Sequence, residues 1–176
     1  RIALYLPELP LGRGAISPLV GEIAGCIADA APDAWGRRVI LNRRAGRADA
    51  ETTDLGPMTY LLESGSDRIG ALDFQASASG YVPRAGRHAT LDELAESAAR
   101  VEQGLPLTPE LDQALLHGSS VGGSWPKARV DDGDRRLIAK FSMSTDTDPV
   151  IKCEFIAMER ARPAGIDAAP VALTKA

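Results

Sequence analysis

The sequence contains few of the residues that form disulfide frameworks and zinc sites. Its 176 residues include two cysteines, Cys26 and Cys153, and two histidines, His88 and His117. Small secreted domains have more cysteines at closer spacings, and no two of these four residues lie at zinc-ligand spacing. Both cysteines fall in apolar helical patterns. We therefore expect no zinc site and two buried thiols in a reducing, cytoplasmic compartment.

The sequence also lacks a long apolar run and an excess of basic charge. Its longest apolar stretch, residues 19–31, is interrupted by glycines and acidic residues and is shorter than the roughly 20 residues of a membrane span. The formal net charge is −4, whereas nonspecific DNA or RNA binding needs a broad basic face. The arginines between residues 37 and 47 are typical of a solvated helix face. We expect neither membrane insertion nor direct nucleic-acid binding.

Length and composition are typical of a globular protein. Apolar residues make up 44% of the chain and charged residues 25%, and 176 residues suffice for one domain or two small ones. The chain opens on Arg1, without a leader that ends in a small-residue cleavage site. We expect it to begin within a longer protein.

The first two thirds of the chain carry signals for helix boundaries. Asp33 is a predicted N-cap, Thr90 and Glu93 form a predicted capping box, and Thr108-Pro109 places proline at the first position of a helix. The predicted elements are helices over residues 34–44, 57–63, 91–103 and 109–117, a strand over 68–75, and a loop over 81–89. We assign residues 1–117 to a helical N-terminal region with a short strand segment.

The residues after 117 have a different character. A glycine- and serine-rich run over 118–124 precedes a hairpin signal, since Asp-Gly at 132–133 tolerates the positive φ of tight turns. The predicted elements are strands over 127–130, 136–142 and 168–173 and a helix over 150–164. Pro163 favours a kink or an early end of this helix, and Gly165 is the predicted residue after its C-cap. No closing element follows, so we expect the chain to continue.

Three features of this second part form a pattern that binds nucleotides in protein kinases. The run from Ser120 to Ser124 contains Gly122-Gly123, whose backbone N–H groups can approach a phosphate closely. Lys140 lies on the strand after the hairpin, and Glu154 lies one turn into the next helix, where it can pair with that lysine. This order is the layout of a kinase nucleotide lobe. Taken singly, the features are more often a linker, an exposed lysine and a solvated glutamate.

Five segments of the chain resemble motifs of the HipA-like kinases, which are toxins of bacterial toxin–antitoxin pairs. Ser120 to Lys127 resembles the family's Ser-x-Gly-Gly-x-x-Pro-Lys phosphate-loop motif, and residues 29–38 resemble the Pro-Asp-x-Trp-Gly-Arg motif of the region before the kinase lobe. Residues 68–74, 138–141 and 154–166 resemble a third segment, the strand with the ATP-binding lysine, and the helix after it. The five segments follow the family's order.

The resemblance implies an ATP-dependent serine/threonine protein kinase, with ATP and Mg²⁺ as cofactors. The implied ATP-binding residues are Gly122, Gly123, Ser124, Trp125, Pro126, Lys127 and Lys140. Glu154 would hold Lys140, and Ser120 would be the serine that the kinase phosphorylates on itself, which displaces the loop and switches the enzyme off. The implied partners are a small DNA-binding antitoxin of the HipB type and a protein substrate, with aminoacyl-tRNA synthetases among the family's substrates.

The resemblance also implies that this chain is an incomplete enzyme. The family's catalytic Asp and metal-binding Asp lie further along than the chain reaches. We therefore expect no catalytic residue and no Mg²⁺ ligand in residues 1–176, and no kinase activity from these residues alone. The expected fold is α+β, with the helical region over 1–117 and a kinase-like N-lobe over 118–176. That lobe comprises the hairpin, the lysine strand, a helix and a strand, without the C-lobe.

Two other interpretations stay open. In the first, the chain is a non-catalytic module that docks the antitoxin and carries a degenerate nucleotide site. In the second, it is a structural domain whose glycine- and serine-rich run is a plain linker. Thermal stabilisation by ATP that disappears when Lys140 is changed favours the kinase over the docking module. Proteolysis at Ser119-Ser120 regardless of nucleotide favours the structural domain.

Overall fold

A computed structural model describes residues 9–45, 55–68, 70–116 and 123–175. In these ranges the chain forms six helices and one two-stranded antiparallel sheet. The helices are α1 (Gly25–Ala28), α2 (Ala34–Ala45), α3 (Pro57–Glu63), α4 (Leu91–Glu102), α5 (Pro109–Leu115) and α6 (Val150–Ala161), and the strands are β1 (Lys127–Asp132) and β2 (Arg135–Lys140). The fold is a mixed α and β one, as predicted at this coarse level.

The starts of α2 and α4 have side-chain caps at the predicted residues. Asp33 Oδ1 accepts a hydrogen bond from the backbone N–H of Gly36 at 3.2 Å, at the start of α2. Before α4, Thr90 Oγ1 accepts from the Glu93 N–H at 3.2 Å, and Glu93 Oε2 accepts from the Thr90 N–H at 2.9 Å. Each bond satisfies an N–H group that has no partner within its helix. The predicted N-cap and capping box are confirmed.

The predicted hairpin is confirmed, with strands that differ from the prediction by up to two residues. Register pairs run from Lys127 opposite Lys140 to Asp132 opposite Arg135. Only two residues remain for the turn, and Gly133 has a φ of +60° there, which glycine adopts without strain. The sequence predicts this turn because the Asp-Gly signal depends only on the residues of the turn itself.

Helix α6 ends at Ala161, two residues before Pro163. Proline has no N–H to donate and its ring clashes with the preceding turn, which stops the helix ahead of it. Gly165 follows with a φ of +82°, and the N–H of Ile166 donates to the carbonyl of Ala161 at 3.0 Å. The early end of the helix and the role of Gly165 are confirmed.

Two predicted strands are wrong. Residues 68 and 70–75, and residues 168–173, are not in strand pairing. In the first segment, side chains make the connections: the Arg68 guanidinium donates to the carbonyl oxygens of Ala30 and Leu61 at 2.6 and 2.8 Å. A strand forms where a second strand pairs with its backbone groups, and short apolar runs in the sequence do not reveal whether such a partner exists.

The main hydrophobic core joins α2, α4, α5 and β1. Its buried members are Trp35, Val39, Leu94, Ala98, Val101, Ala114, Leu115 and Ala128. The members on α2 and α4 recur at three- and four-residue spacing, so each helix turns one apolar stripe inwards. Ala128 comes from β1, so the core contains residues from both sides of the predicted domain boundary at residue 117. That boundary stays a prediction.

The two cysteines are less buried than the sequence predicts. Cys26 is half-buried and Cys153 is exposed, and neither forms a disulfide. The prediction of two buried thiols is therefore wrong. Cys153 lies on α6, where no residue is fully buried, so the apolar pattern of this helix marks a face that the described part of the chain does not cover.

The arginines of α2 bind acidic partners on neighbouring helices. Arg43 forms an ion pair with Asp112, and Arg44 Nη1 lies 3.2 Å from Glu63 Oε1. The prediction of a solvated face is wrong for these two residues, because the partners come from α5 and α3. Among the described residues, no helix has the length and apolarity needed to cross a membrane.

Candidate functional site

Gly123 opens the described part of the glycine-rich loop. Ser120 and Gly122, two of the predicted site residues, lie outside the described residues. Gly123 has a φ of +114°, which side-chain-bearing residues rarely adopt, and a Cβ at this position would collide with Nζ of Lys127. The positive φ therefore favours glycine here, and the loop backbone passes close to the Lys127 amine.

The start of α2 binds the loop backbone. The Trp35 N–H donates to the Gly123 carbonyl at 3.3 Å, and the Trp35 indole Nε1 donates to the Lys127 carbonyl at 2.9 Å. The indole is fully buried, where its N–H needs a partner. We call Asp33, Trp35, Gly123 and Lys127 the loop–helix junction. Two segments that resemble separate family motifs therefore form one structural unit.

Lys127 is the buried amine of this junction, with 5% of its surface exposed. Burial lowers its pKa, the Asp33 carboxylate opposes that shift, Lys140 adds to it, and Glu154 opposes it. Charged groups of both signs therefore influence the Lys127 amine.

Lys140 and Glu154 form an ion pair between the end of β2 and a position one turn into α6. Lys140 is also the register partner of Lys127, and residues directly opposite in a sheet present their side chains on one face. The Lys140 and Glu154 side chains are 43% and 42% exposed. An exposed pair adds little stability, but it leaves the Lys140 amine accessible to a ligand. Its role at a nucleotide stays a prediction.

Ser124 and Trp125 line a different part of the surface. Trp125 is 40% exposed, and its Nε1 donates to Asp146 Oδ1 at 3.2 Å. With Arg38 and Asp148 they line an open cavity of about 400 Å³, which Lys127, Lys140 and Glu154 do not line. The structure therefore brings Gly123, Lys127, Lys140 and Glu154 together and directs two other predicted ATP contacts elsewhere.

Pro126 links the loop to the hairpin. Its side chain is fully buried, and its carbonyl accepts from the N–H of Phe141 at 2.9 Å. This bond extends the pairing of β1 and β2 by one step beyond Lys127 and Lys140. The glycine-rich loop is therefore anchored to the sheet at Pro126.

The described residues do not form a magnesium site by themselves. Within the described ranges, no group of three or more His, Cys, Asp or Glu side chains is placed to hold a metal ion. The nearest carboxylates have other partners, since Glu154 pairs with Lys140 and Asp33 caps α2. Metal ligands beyond the end of this chain stay a prediction.

Comparison of the chain with protein-family models, with curated proteins and with solved structures found no match. The likeness to HipA-like kinases therefore rests on the five quoted segments. The structure adds contacts between four of them, in two pairs, through Trp35 and Gly123 and through Lys140 and Glu154.

Sequence reasoning missed two contacts of the loop. It did not connect Trp35 with Lys127, and it did not connect Trp125 with Asp146. Both contacts join residues far apart in the chain, and no local pattern indicates such a pair. The one available signal was that Asp33 and Trp35 belong to a motif that lies in a fixed order before the phosphate loop.

Proposed function

We propose that the full-length protein is an ATP-dependent serine/threonine protein kinase of the HipA type, to which this chain contributes the nucleotide-binding lobe. The observation that carries the proposal is the Lys140–Glu154 ion pair between the hairpin and α6, which follow a glycine-rich loop in which Gly123 has a positive φ. A strand lysine held by a helix carboxylate, next to a glycine-rich loop, is how kinases hold the phosphates of ATP.

The residues of this chain would bind and orient the nucleotide. The loop N–H groups and the Lys127 and Lys140 amines provide the positive charge that faces the phosphates, and Glu154 keeps Lys140 extended towards them. Bound ATP supplies the phosphoryl group that is transferred. The chain's own residues do not supply the acid–base chemistry of transfer, and the proposal assigns that chemistry to residues beyond Ala176.

The cellular setting of the proposal follows from the resemblance alone. It comprises a cytoplasmic bacterial protein, a small DNA-binding antitoxin as partner, and a protein substrate such as an aminoacyl-tRNA synthetase. The absence of a membrane-crossing helix among the described residues is compatible with this setting.

A second candidate function is a docking module without catalysis. It is favoured by apolar side chains that the described part of the chain leaves exposed on β2 and α6, namely Leu137, Ile138 and Ile156. Exposed apolar patches mark sites of protein association. This surface is suited to contact with an antitoxin or with a further part of the same protein.

A thermal-shift titration of the full-length protein with ATP and Mg²⁺ separates the two candidates. A ligand that binds only the folded state raises the melting temperature by an amount that grows with the logarithm of its concentration above Kd. A concentration-dependent rise that disappears in Lys140→Ala supports the kinase. A melting temperature that ATP does not change, in a protein that still binds a partner, supports the docking module.

Ser120 is the predicted regulatory phosphosite of the proposed kinase. Phosphorylation adds about −1.5 to −2 charges next to a loop that would receive the phosphates of ATP, so we expect repulsion to expel the loop. Mass spectrometry of protein produced with ATP should find phosphate on Ser120 and not on the adjacent Ser119. Ser120→Asp should weaken ATP binding, and Ser119→Asp is the matched control. An active kinase with unmodified Ser120, whose Ser120→Asp variant binds ATP normally, would contradict this switch.

A further inference from the structure

One residue of α2 holds both ends of residues 123–127, where the glycine-rich loop joins β1. The Trp35 backbone N–H donates to the Gly123 carbonyl at 3.3 Å. The Trp35 indole Nε1 donates to the Lys127 carbonyl at 2.9 Å, and these two residues are 92 positions apart in the chain. Two hydrogen bonds from a single residue therefore attach this segment to the helical N-terminal region.

Trp35 is a firm attachment point because its side chain is fully buried in the main core, among Leu94 of α4 and Leu115 of α5. A side chain in a close-packed core cannot shift without disturbing its neighbours. The Trp35 N–H lies in the first turn of α2, where N–H groups have no acceptor within the helix. A buried indole N–H also needs a partner. The carbonyls of Gly123 and Lys127 therefore satisfy two donors that α2 cannot satisfy by itself.

The same segment is joined to the strand that carries Lys140. The carbonyl of Pro126 accepts from the Phe141 N–H at 2.9 Å, and Lys127 is the register partner of Lys140. The hydrogen bond from Trp35 to the Lys127 carbonyl thus acts at the point where the loop lies directly opposite Lys140. A change at Trp35 is therefore transmitted to the position of the loop relative to that lysine.

We propose that Trp35 is a positioning residue for the nucleotide site. By holding the carbonyls of Gly123 and Lys127, it fixes the end of the glycine-rich loop beside the strand of Lys140. The helical N-terminal region is then part of the site, to which it contributes the attachment of the loop. The role of Trp35 towards ATP rests on the proposed function, whereas its hold on residues 123–127 does not.

Hydrogen exchange of the full-length protein, followed by mass spectrometry, tests this hold without any nucleotide. Trp35→Phe keeps most of the buried ring and removes the indole N–H. Amide exchange in peptides that cover residues 124–130 should become about fivefold faster, the effect of losing one typical hydrogen bond on local opening.

Ile40→Val is the matched control. It shortens another fully buried side chain of α2 at a similar cost in stability, and Ile40 packs in the separate cluster with Leu55 and Tyr60. Exchange over residues 124–130 should be the same in Ile40→Val as in the parent protein. An equal acceleration in Trp35→Phe and Ile40→Val would mean that the effect is general destabilisation, and would overturn the proposal.

Benzothienylalanine at position 35 separates the hydrogen bond from packing. This analogue carries sulfur in place of the indole N–H, so the ring system is retained while the donor is lost. It should accelerate exchange over residues 124–130 as Trp35→Phe does, and it supplies the result if phenylalanine leaves the core too poorly packed to fold. Exchange at the parent rate in the analogue would overturn the proposal.

Kinetics with ATP test the consequence for the site. Trp35→Phe should raise the KM for ATP about fivefold with little change in kcat, because a displaced loop weakens binding more than chemistry, and Ile40→Val should change neither constant. An active kinase whose KM is the same in Trp35→Phe as in the parent would show that Trp35 is only structural, and would overturn the positioning role. Faster exchange in Trp35→Phe of a protein that never binds ATP would support the hold on residues 123–127 and contradict the proposed kinase.

Discussion

We expect Lys140→Ala to lower phosphotransfer by the full-length protein about 10²- to 10³-fold, which is typical of removing one charge-stabilising contact to a transition state. Lys140 is 43% exposed and its only described ion-pair partner is the equally exposed Glu154. Removing the Lys140 side chain therefore costs little stability. A loss of phosphotransfer in Lys140→Ala then reports on function and not on folding. The measurement is the initial rate of ATP-dependent phosphorylation, with the melting temperature determined on the same samples.

Lys152→Ala is the matched control for this variant, since it removes an exposed lysine from α6 without breaking the pair with Glu154. Glu154→Gln should give an intermediate loss, because Lys140 keeps its charge but loses the residue that orients it. Full activity of Lys140→Ala with an unchanged affinity for ATP would contradict the assignment of Lys140.

The largest expected effect on stability comes from Trp35→Ala, which should lower the free energy of unfolding by about 3–5 kcal/mol. Trp35 is fully buried in the main core, and it donates both its backbone and its indole N–H groups across to the loop. The substitution leaves a cavity and also leaves the Lys127 carbonyl without its donor. Chemical denaturation monitored by circular dichroism measures the loss.

The chain provides its own control in Trp125, which is 40% exposed. Trp125→Ala should cost about 1 kcal/mol or less, since it removes mainly one exposed hydrogen bond to Asp146. Trp35→Phe keeps most of the buried ring area and removes the indole N–H, so we expect about 1 kcal/mol. Equal losses for Trp35→Ala and Trp125→Ala would contradict the position of Trp35 in the core.

Features with local causes could be predicted from the sequence. The N-cap Asp33, the capping box at Thr90 and the end of α6 before Pro163 each depend on a few neighbouring residues. The turn at Gly133 depends on the conformational freedom of one residue. The pair of Lys140 and Glu154 was predicted from the order of loop, strand and helix in a kinase nucleotide lobe, and not from a local signal.

Features that need a distant partner could not be predicted in this way. The segments at 70–75 and 168–173 are suitable for strands, but no strand pairs with them among the described residues. Arg43 and Asp112 pair because α2 and α5 meet. Cys153 is exposed because no described part of the chain packs over its side of α6. The hydrogen bond from the Trp35 indole to the Lys127 carbonyl belongs to the same class, since it depends on how the helix and the loop pack.

Labelling with an acyl-phosphate derivative of ATP tests the central claim most directly. This probe transfers its acyl group to a lysine amine that lies beside the bound phosphates, so the modified residue identifies the site. We predict that the full-length protein is acylated at Lys140, that excess ATP abolishes this modification, and that Lys152 is not modified in an ATP-sensitive way. Acylation that does not depend on nucleotide competition, or that is equal at Lys140 and Lys152, would contradict a nucleotide site at Lys140 and the glycine-rich loop.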